Sequence, residues 1–207
     1  DKQTIYRKEM QKIMFNDKYG LTKAVLEGKK TQTRRIAIHS AEDIAVLDEL
    51  NPQDKDKHIV QYVIDKYSRF KVGEVVAVAQ PLKDLGYDAR DTSGGHIWGL
   101  DHEPAWTNKM FVCAPQCKNR IRITGIRLER LQDISDEDCL KEGIIEDCPG
   151  VQYSFPTEIG YCGQYPFDTP KAAYAALIDN ISGKGTWEKN PWVFVYDFEL
   201  VTNICRK

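Results

Sequence analysis

Residues 75 to 79 read Val-Val-Ala-Val-Ala, directly after the turn-like Phe70-Lys71-Val72-Gly73-Glu74. A strand that is apolar on both faces has to be central in its sheet, with neighbours on either side and cover above and below. The rest of the chain must supply those neighbours and that cover, and its apolar patterning indicates where they lie.

Ile13 to Phe15 is a short apolar run, and Arg120-Ile121-Arg122-Ile123 alternates as a half-buried strand does. At Thr124-Gly125 the phase slips and Ile126 and Leu128 become the apolar set, the signature of a β-bulge. A closing strand is predicted over Trp192 to Leu200. Helices fall between these runs. One is predicted from Lys18 to Glu27, capped by Asp17 and stopped at Gly28, so that Lys29 to Arg35 leaves through a tight turn into a polar, Thr-rich strand. Ser40 and Asp43 open a second helix, with Ile44, Leu47 and Leu50 at helical spacing until Asn51-Pro52. Ile59 to Tyr67 reads as a third, although its β-branched residues leave a strand open. Ser135 with Asp138 starts a short helix ending at Gly143, and Thr169-Pro170 opens another that closes at Gly183 and Gly185.

Strands separated by helices without regular βαβ alternation, and without an internal repeat, give an α+β chain built on a small mixed β-barrel rather than a doubly wound sheet. The 207 residues suit one domain, 1–207, carrying insertions at about 40–67, 80–110 and 146–168. The middle insertion is rich in Gly, Asp and aromatic residues. Loops of that length commonly serve a site, yet Trp98 and Trp106 are as well explained by packing in a satellite core.

Charge is bipolar. Residues 1 to 35 hold ten Lys or Arg against four Asp or Glu; Lys118, Arg120, Arg122, Arg127 and Arg130 are opposed only by Glu129, and Asp133 to Asp147 holds seven acids against Lys141. Two basic stretches that converge would make a groove for a phosphate-bearing ligand; two that do not are solvated faces. No window is apolar enough to span a membrane and the first residues lack the core of a signal peptide, which predicts a soluble cytoplasmic protein. Six scattered cysteines suit reduced thiols, and the Cys113/Cys117 pair has no second ligand pair at finger spacing, so neither metal nor cofactor is expected.

Four segments in order resemble the ASCH family of the PUA-like superfamily, particularly its larger phage and prophage members. Glu-Gly-Lys-Lys-Thr-Gln-Thr-Arg-Arg (Glu27 to Arg35) looks like the family's glycine-basic-lysine-threonine signature and Phe70 to Val78 like its second strand. Arg120 to Ile144 looks like its later strand-helix unit, and Asn190 to Glu199 like its closing strand. One departure stands out: Ala79-Gln80-Pro81-Leu82 lies where relatives often carry Arg-Glu, a hydroxyl residue and Trp.

The resemblance implies a PUA-like barrel and a ligand that is RNA or a modified nucleoside, held in a basic cleft around Gly28 to Arg35. It also implies a second possibility, because some small members hydrolyse the acetyl amide of acetylated cytidine with a Lys, a Thr and a Glu. Carried over residue by residue, these are Lys30, Thr33 and Glu142. A threonine hydroxyl needs a base to become a nucleophile, and a lysine can serve only if its pKa is depressed. Lys30 and Thr33 are three apart and cannot share a strand face, so Lys30 must belong to the turn. Lys29, Arg34, Arg35, Arg120 and Arg122 are candidate contacts for phosphate or carbonyl groups, with Trp98 and Trp106 as stacking surfaces. A third reading, a metal-dependent ribonuclease, rests on His96, Asp101 and His102. Oligomeric state is not encoded in any feature of the sequence.

Overall fold

The computed structural model describes residues 10–37, 57–86, 102–157, 160–161 and 166–201. The expectations for the helix after Ser40, for His96, Trp98 and Asp101, and for Cys162 and Cys205 lie outside the described residues. In chain order the elements are β1 (Lys12–Ile13), α1 (Leu21–Leu26), β2 (Gln32–Ile36), α2 (Lys57–Tyr67), β3 (Val75–Val78), α3 (Pro104–Thr107), β4 (Arg120–Arg130), α4 (Asp136–Lys141), β5 (Ile145–Cys148), β6 (Gln152–Ser154), β7 (Pro156–Thr157), β8 (Gly160–Tyr161), α5 (Pro170–Ser182), α6 (Thr186–Lys189) and β9 (Trp192–Val201).

The class is α+β. Five strands form a mixed sheet in the order β1-β3-β4-β9-β2, and β5-β6 and β7-β8 form two small two-stranded sheets. The sheet is open, which corrects the expected closed barrel: β1 is a two-residue strand bonded on one side, to β3, and β2 ends the other edge on β9. Among the described residues no helix is long and apolar enough to cross a membrane. Internal contacts divide the chain into two compact units, Asp1–Phe15 with Val75–Arg122 and Leu200–Lys207, and Asn16–Glu74 with Ile123–Glu199.

In the first unit β3 is central, as its composition requires. It runs parallel to β1 (Lys12↔Ala77) and antiparallel to the start of β4 (Val75↔Arg122, Ala77↔Arg120), and Val76, Ala77 and Val78 are fully buried. Ala77 belongs to a cluster with Leu82, Leu85, Val112, Ala114 and Cys117, against which Trp106 packs half-buried. Lys12 Nζ donates to the Val112 carbonyl at 2.7 Å, and Lys109 Nζ donates to the Phe15 carbonyl, so two lysines tie the loop back to the sheet.

The second unit holds β2, β9, the longer part of β4, and the helices α1, α2, α4, α5 and α6. Helix α1 is shorter than predicted because Asp17 to Gly20 forms a turn closed by Gly20 N–H to Asp17 O at 2.9 Å; Asp17 then receives the Thr22 hydroxyl at 2.5 Å instead of capping the helix. The other signals act as read. Ser135 Oγ accepts from Asp138 N–H at the start of α4, and Thr169 Oγ1 accepts from Ala172 N–H at the start of α5, with Pro170 in the first turn. The stretch 59–67 is helix, its β-branched Val63 and Ile64 facing inward. In β4 the buried positions are Ile121 and Ile123, then Leu128, so the parity changes across Gly125 as the phase slip implied.

Gly143 follows α4 at φ +103°, where a Cβ would approach Leu21 Cδ2 at 3.3 Å and the Lys30 stem at 3.7 Å. Gly143→Ala is expected to cost about 1–2 kcal/mol from the backbone alone, with more from the crowding. Urea denaturation measures it; an unchanged midpoint would show that the turn relaxes freely.

Candidate functional site

The site begins where α1 stops. Gly28 adopts φ +72°, and Lys29 and Lys30 N–H both bond the Ala24 carbonyl, at 2.9 and 3.0 Å, which wraps the chain back over the helix end. Thr31 N–H then bonds the Lys141 carbonyl at 3.0 Å, tying the entry of β2 to the end of α4. Lys30 thus belongs to the turn, as its spacing from Thr33 required, and faces Glu142. Its ammonium donates to Glu142 Oε2 at 2.5 Å and to the Glu142 carbonyl at 2.6 Å, and Lys30 is only 2% exposed. Burial pushes the Lys30 pKa below the ordinary lysine value against the opposing pull of Glu142.

β2 pairs with β9 so that Gln32 faces Asp197, Thr33 faces Tyr196, Arg34 faces Val195 and Arg35 faces Phe194. Alternation puts Gln32 and Arg34 on one face and Thr33 and Arg35 on the other. On the first face the Arg34 guanidinium is entirely buried and uses all five of its N–H donors within the protein. Nε and Nη2 donate to Glu129 Oε1 at 3.0 and 2.7 Å, Nη2 also to Asp138 Oδ2 at 3.1 Å, and Nη1 to Gln32 Oε1 at 2.5 Å and Glu142 Oε1 at 3.1 Å. Gln32 Nε2 donates to Asp197 Oδ1 at 2.6 Å, while Arg127 bridges Asp197 Oδ2 at 2.9 Å and Asp138 Oδ2 at 3.0 Å, closing a ring. Gly125 makes room for this ring, since a Cβ there would stand 3.0 Å from Asp197 Oδ2.

The electrostatics follow the geometry. Burial opposes the Arg34 charge, but Glu142, Tyr174 and Glu129 outweigh it and hold its pKa above the ordinary arginine value. Asp138 is held below the ordinary carboxylate range: burial opposes this, and the bonds from Lys141 and Arg34 prevail. Burial lowers Arg35, Glu142 pulls it back, and the nearby Arg69 charge adds to the lowering. Burial raises Cys139 to about 12 and drives the Tyr174 hydroxyl, on α5, well above its usual value.

Of the residues chosen from the sequence, Lys30, Arg34 and Glu142 therefore meet, and Thr33 is buried on the opposite face of β2 with no hydrogen bond to Lys30 or Glu142. Arg34 is corrected from a ligand contact to a structural hub, because no N–H remains for a ligand. Lys29 is largely exposed and paired with Glu27 at 2.7 Å. Arg120, Arg122 and Trp106 belong to the first unit, Arg120 half-buried, Arg122 exposed and Trp106 packed. His102 is exposed, and among the described residues no group of three His, Cys, Asp or Glu is placed to hold a metal. Cys113 and Cys117 are free thiols.

Sequence reasoning missed Gln32, Glu129, Asp197 and the second role of Asp138. No local pattern singled out the first, because every residue from Lys29 to Arg35 is polar. Comparison of the chain with protein-family models, with curated proteins and with solved structures yields no match.

Two outcomes follow from this network. Arg34→Met leaves three carboxylates short of a partner and is expected to cost about 3–5 kcal/mol, with Arg34→Lys failing to restore it because an ammonium has three donors and no fork; equal unfolding midpoints for wild type and variant would refute the hub. Lys30 binds its proton less tightly folded than unfolded, so its contribution to stability should rise with pH from the depressed folded value up to the ordinary lysine value. Lys30→Met should abolish that alkaline rise, followed by denaturation across pH.

Proposed function

We propose that this chain is an ASCH-type, PUA-like domain that binds RNA or a modified nucleoside against the Thr33 and Arg35 face of β2, with the Lys30–Glu142–Arg34 network as the wall behind it. The observation that carries this reading is the burial of two cations and a carboxylate at one strand entry. Lys30, Arg34 and Glu142 are all buried, although replacing a buried ion group by an apolar one of similar volume is commonly neutral or stabilising. Charge kept inside at such a cost, with a lysine whose pKa burial depresses, is typical of functional sites more than of scaffolds.

The same wall supports the choice of ligand. Three cations, Lys30, Arg34 and Arg35, bear on Glu142, two by hydrogen bonds and one through its field. Arg35 is only half-buried, beside the buried Thr33 hydroxyl on the same strand face, a pairing suited to a carbonyl or phosphate oxygen. The order of the four ASCH-like segments supports the nucleic-acid class.

A second reading is favoured by one observation, the depressed Lys30 pKa, which suits a general base. In it Lys30 activates Thr33 for attack on the acyl carbon of an acylated cytidine, with Glu142 orienting the amine. Thr33 then has to approach an amine it does not touch in this conformation.

Single-stranded RNA is expected to bind with an affinity that falls steeply with salt, and Arg35→Ala should weaken it about tenfold, in the range of a lost charge-assisted contact. Fluorescence anisotropy at several salt concentrations decides this, and salt-independent binding or none would sink the reading. Incubation with N4-acetylcytidine decides the second: acetate released by wild type but not by Lys30→Ala or Thr33→Ala supports hydrolysis, and no turnover at high enzyme concentration removes it for that substrate.

A further inference from the structure

Helix α2 lies within the insertion at 40–67, which no part of the proposed cleft uses. Its inner face is accounted for by Val63 and Ile64, both buried, and by Phe70 just beyond it. Its outer face is unusual in what it displays. Tyr62 is 57% exposed, and the Lys66 ammonium stands 5.3 Å from the centre of that ring and 4.6 Å from the centre of the Tyr67 ring. A lysine one turn after a tyrosine thus holds its charge between two aromatic rings on the surface, and Arg69 and Lys71 follow directly. The acids of the same stretch are engaged locally: Asp65 accepts from Gln61 at 2.8 Å and Glu74 accepts from the Lys71 backbone at 2.9 Å.

The far end of this helix is fastened to the strand pair that bears the cleft. Ser68 Oγ lies 3.1 Å from the Tyr196 hydroxyl, Arg69 N–H donates to that hydroxyl at 3.2 Å, and the Phe70 and Tyr196 rings meet edge to face at 5.2 Å. Tyr196 is the cross-strand partner of Thr33, so the segment leaving α2 packs on the β2–β9 face that carries Thr33 and Arg35.

We propose that Tyr62, with Lys66 beside it, is a stacking platform for an unpaired base of single-stranded nucleic acid, flanking the cleft of β2. An aromatic ring with one face in solvent accepts any base, and a cation beside it meets the adjoining phosphate; that pairing is the common element of sequence-tolerant single-strand binding. A protein partner would more readily want an apolar surface around the ring, whereas Tyr62 is surrounded by His58, Gln61, Asp65 and Lys66, all exposed. The inference rests on the nucleic-acid reading of the cleft and extends it from one nucleotide to a strand.

The test uses the full chain and a labelled single-stranded RNA of about twelve nucleotides, long enough to cover a platform and a cleft together. Tyr62→Ala should weaken binding about tenfold while Tyr62→Phe, which keeps the ring, stays near wild type. Lys66→Ala should lower the slope of affinity against salt by about one ion. Tyr62 is exposed, so an unchanged melting temperature is expected for both tyrosine variants. Full-strength binding by Tyr62→Ala, with loss in Arg35→Ala, overturns the platform and leaves the cleft standing. Loss in Tyr62→Ala, with none in Arg35→Ala, upholds the platform and overturns the cleft. Failure of the wild type to bind RNA, with Tyr62-dependent binding of an acidic peptide instead, overturns the proposal in favour of a protein partner.

Discussion

Five N–H bonds on one guanidinium hold the second unit in register. Arg34 joins β2 to β4 through Glu129 and to α4 through Asp138 and Glu142, and through Gln32 and Asp197 it is linked to β9. No other side-chain type provides five donors in one rigid plane. The arginine is satisfied only when the strand, its neighbour and the helix end are all in place, so the bonds form together or leave buried charge exposed to its full desolvation cost. Gly125 and Gly143 serve the same assembly by absence. One leaves room for the Asp197 carboxylate and the other for the Leu21 side chain next to the Lys30 stem.

Those two glycines also mark how far the sequence could be read. Gly125 was legible as a phase slip and Gly143 as a helix stop, both local backbone events. What each glycine admits is a side chain distant in sequence, and no local pattern carries that. The same division runs through the elements. The central place of Val75–Val78, the caps at Ser135 and Thr169 and the turn at Gly28 are decided within a few residues, and they are where composition put them. Closure of the sheet depends on whether its terminal strands meet. A two-residue β1 does not extend far enough to impose it, and nothing in Ile13 to Phe15 announces that the strand ends at Ile13.

The candidate site divides in the same way. Lys30 and Glu142 were paired by resemblance and stand in direct contact. Arg34 was read as free to hold a phosphate because Arg-Arg after a threonine turn looks basic from the sequence. Its neutralising acids come from residues 129, 138 and 142, a separation over which charge counting has no resolution. The acidic run from Asp133 to Asp147 reads from the sequence only as the opposite pole of the charge pattern, yet two of its members are partners of Arg34. Bipolar charge along a chain can mean a groove with a rim, or it can mean an internal ion network; here the burial of Arg34 decides for the network at that residue, while Arg35 is half-buried on the opposite face of β2.

That sorting weighs on the choice between binding and hydrolysis. For Lys30 to take the proton of Thr33, the amine has to leave Glu142 or the hydroxyl has to turn through the plane of β2, since Thr33 points to the face of the strand opposite Gln32 and Arg34. Releasing Glu142 strands a carboxylate that is buried and shared with Arg34, and such a broken pair costs about 3–5 kcal/mol. The proposed binding at Arg35, the half-buried residue beyond the buried Thr33 on that strand, asks for no such rearrangement, because the network stays closed on the opposite face of β2. A substrate that brought its own donor to Glu142 as Lys30 withdrew would offset the cost, and an exocyclic amide N–H is a group of that kind. The distinction between a module that holds a nucleoside and an enzyme that deacylates one therefore comes down to whether the ligand can replace Lys30 at a single carboxylate.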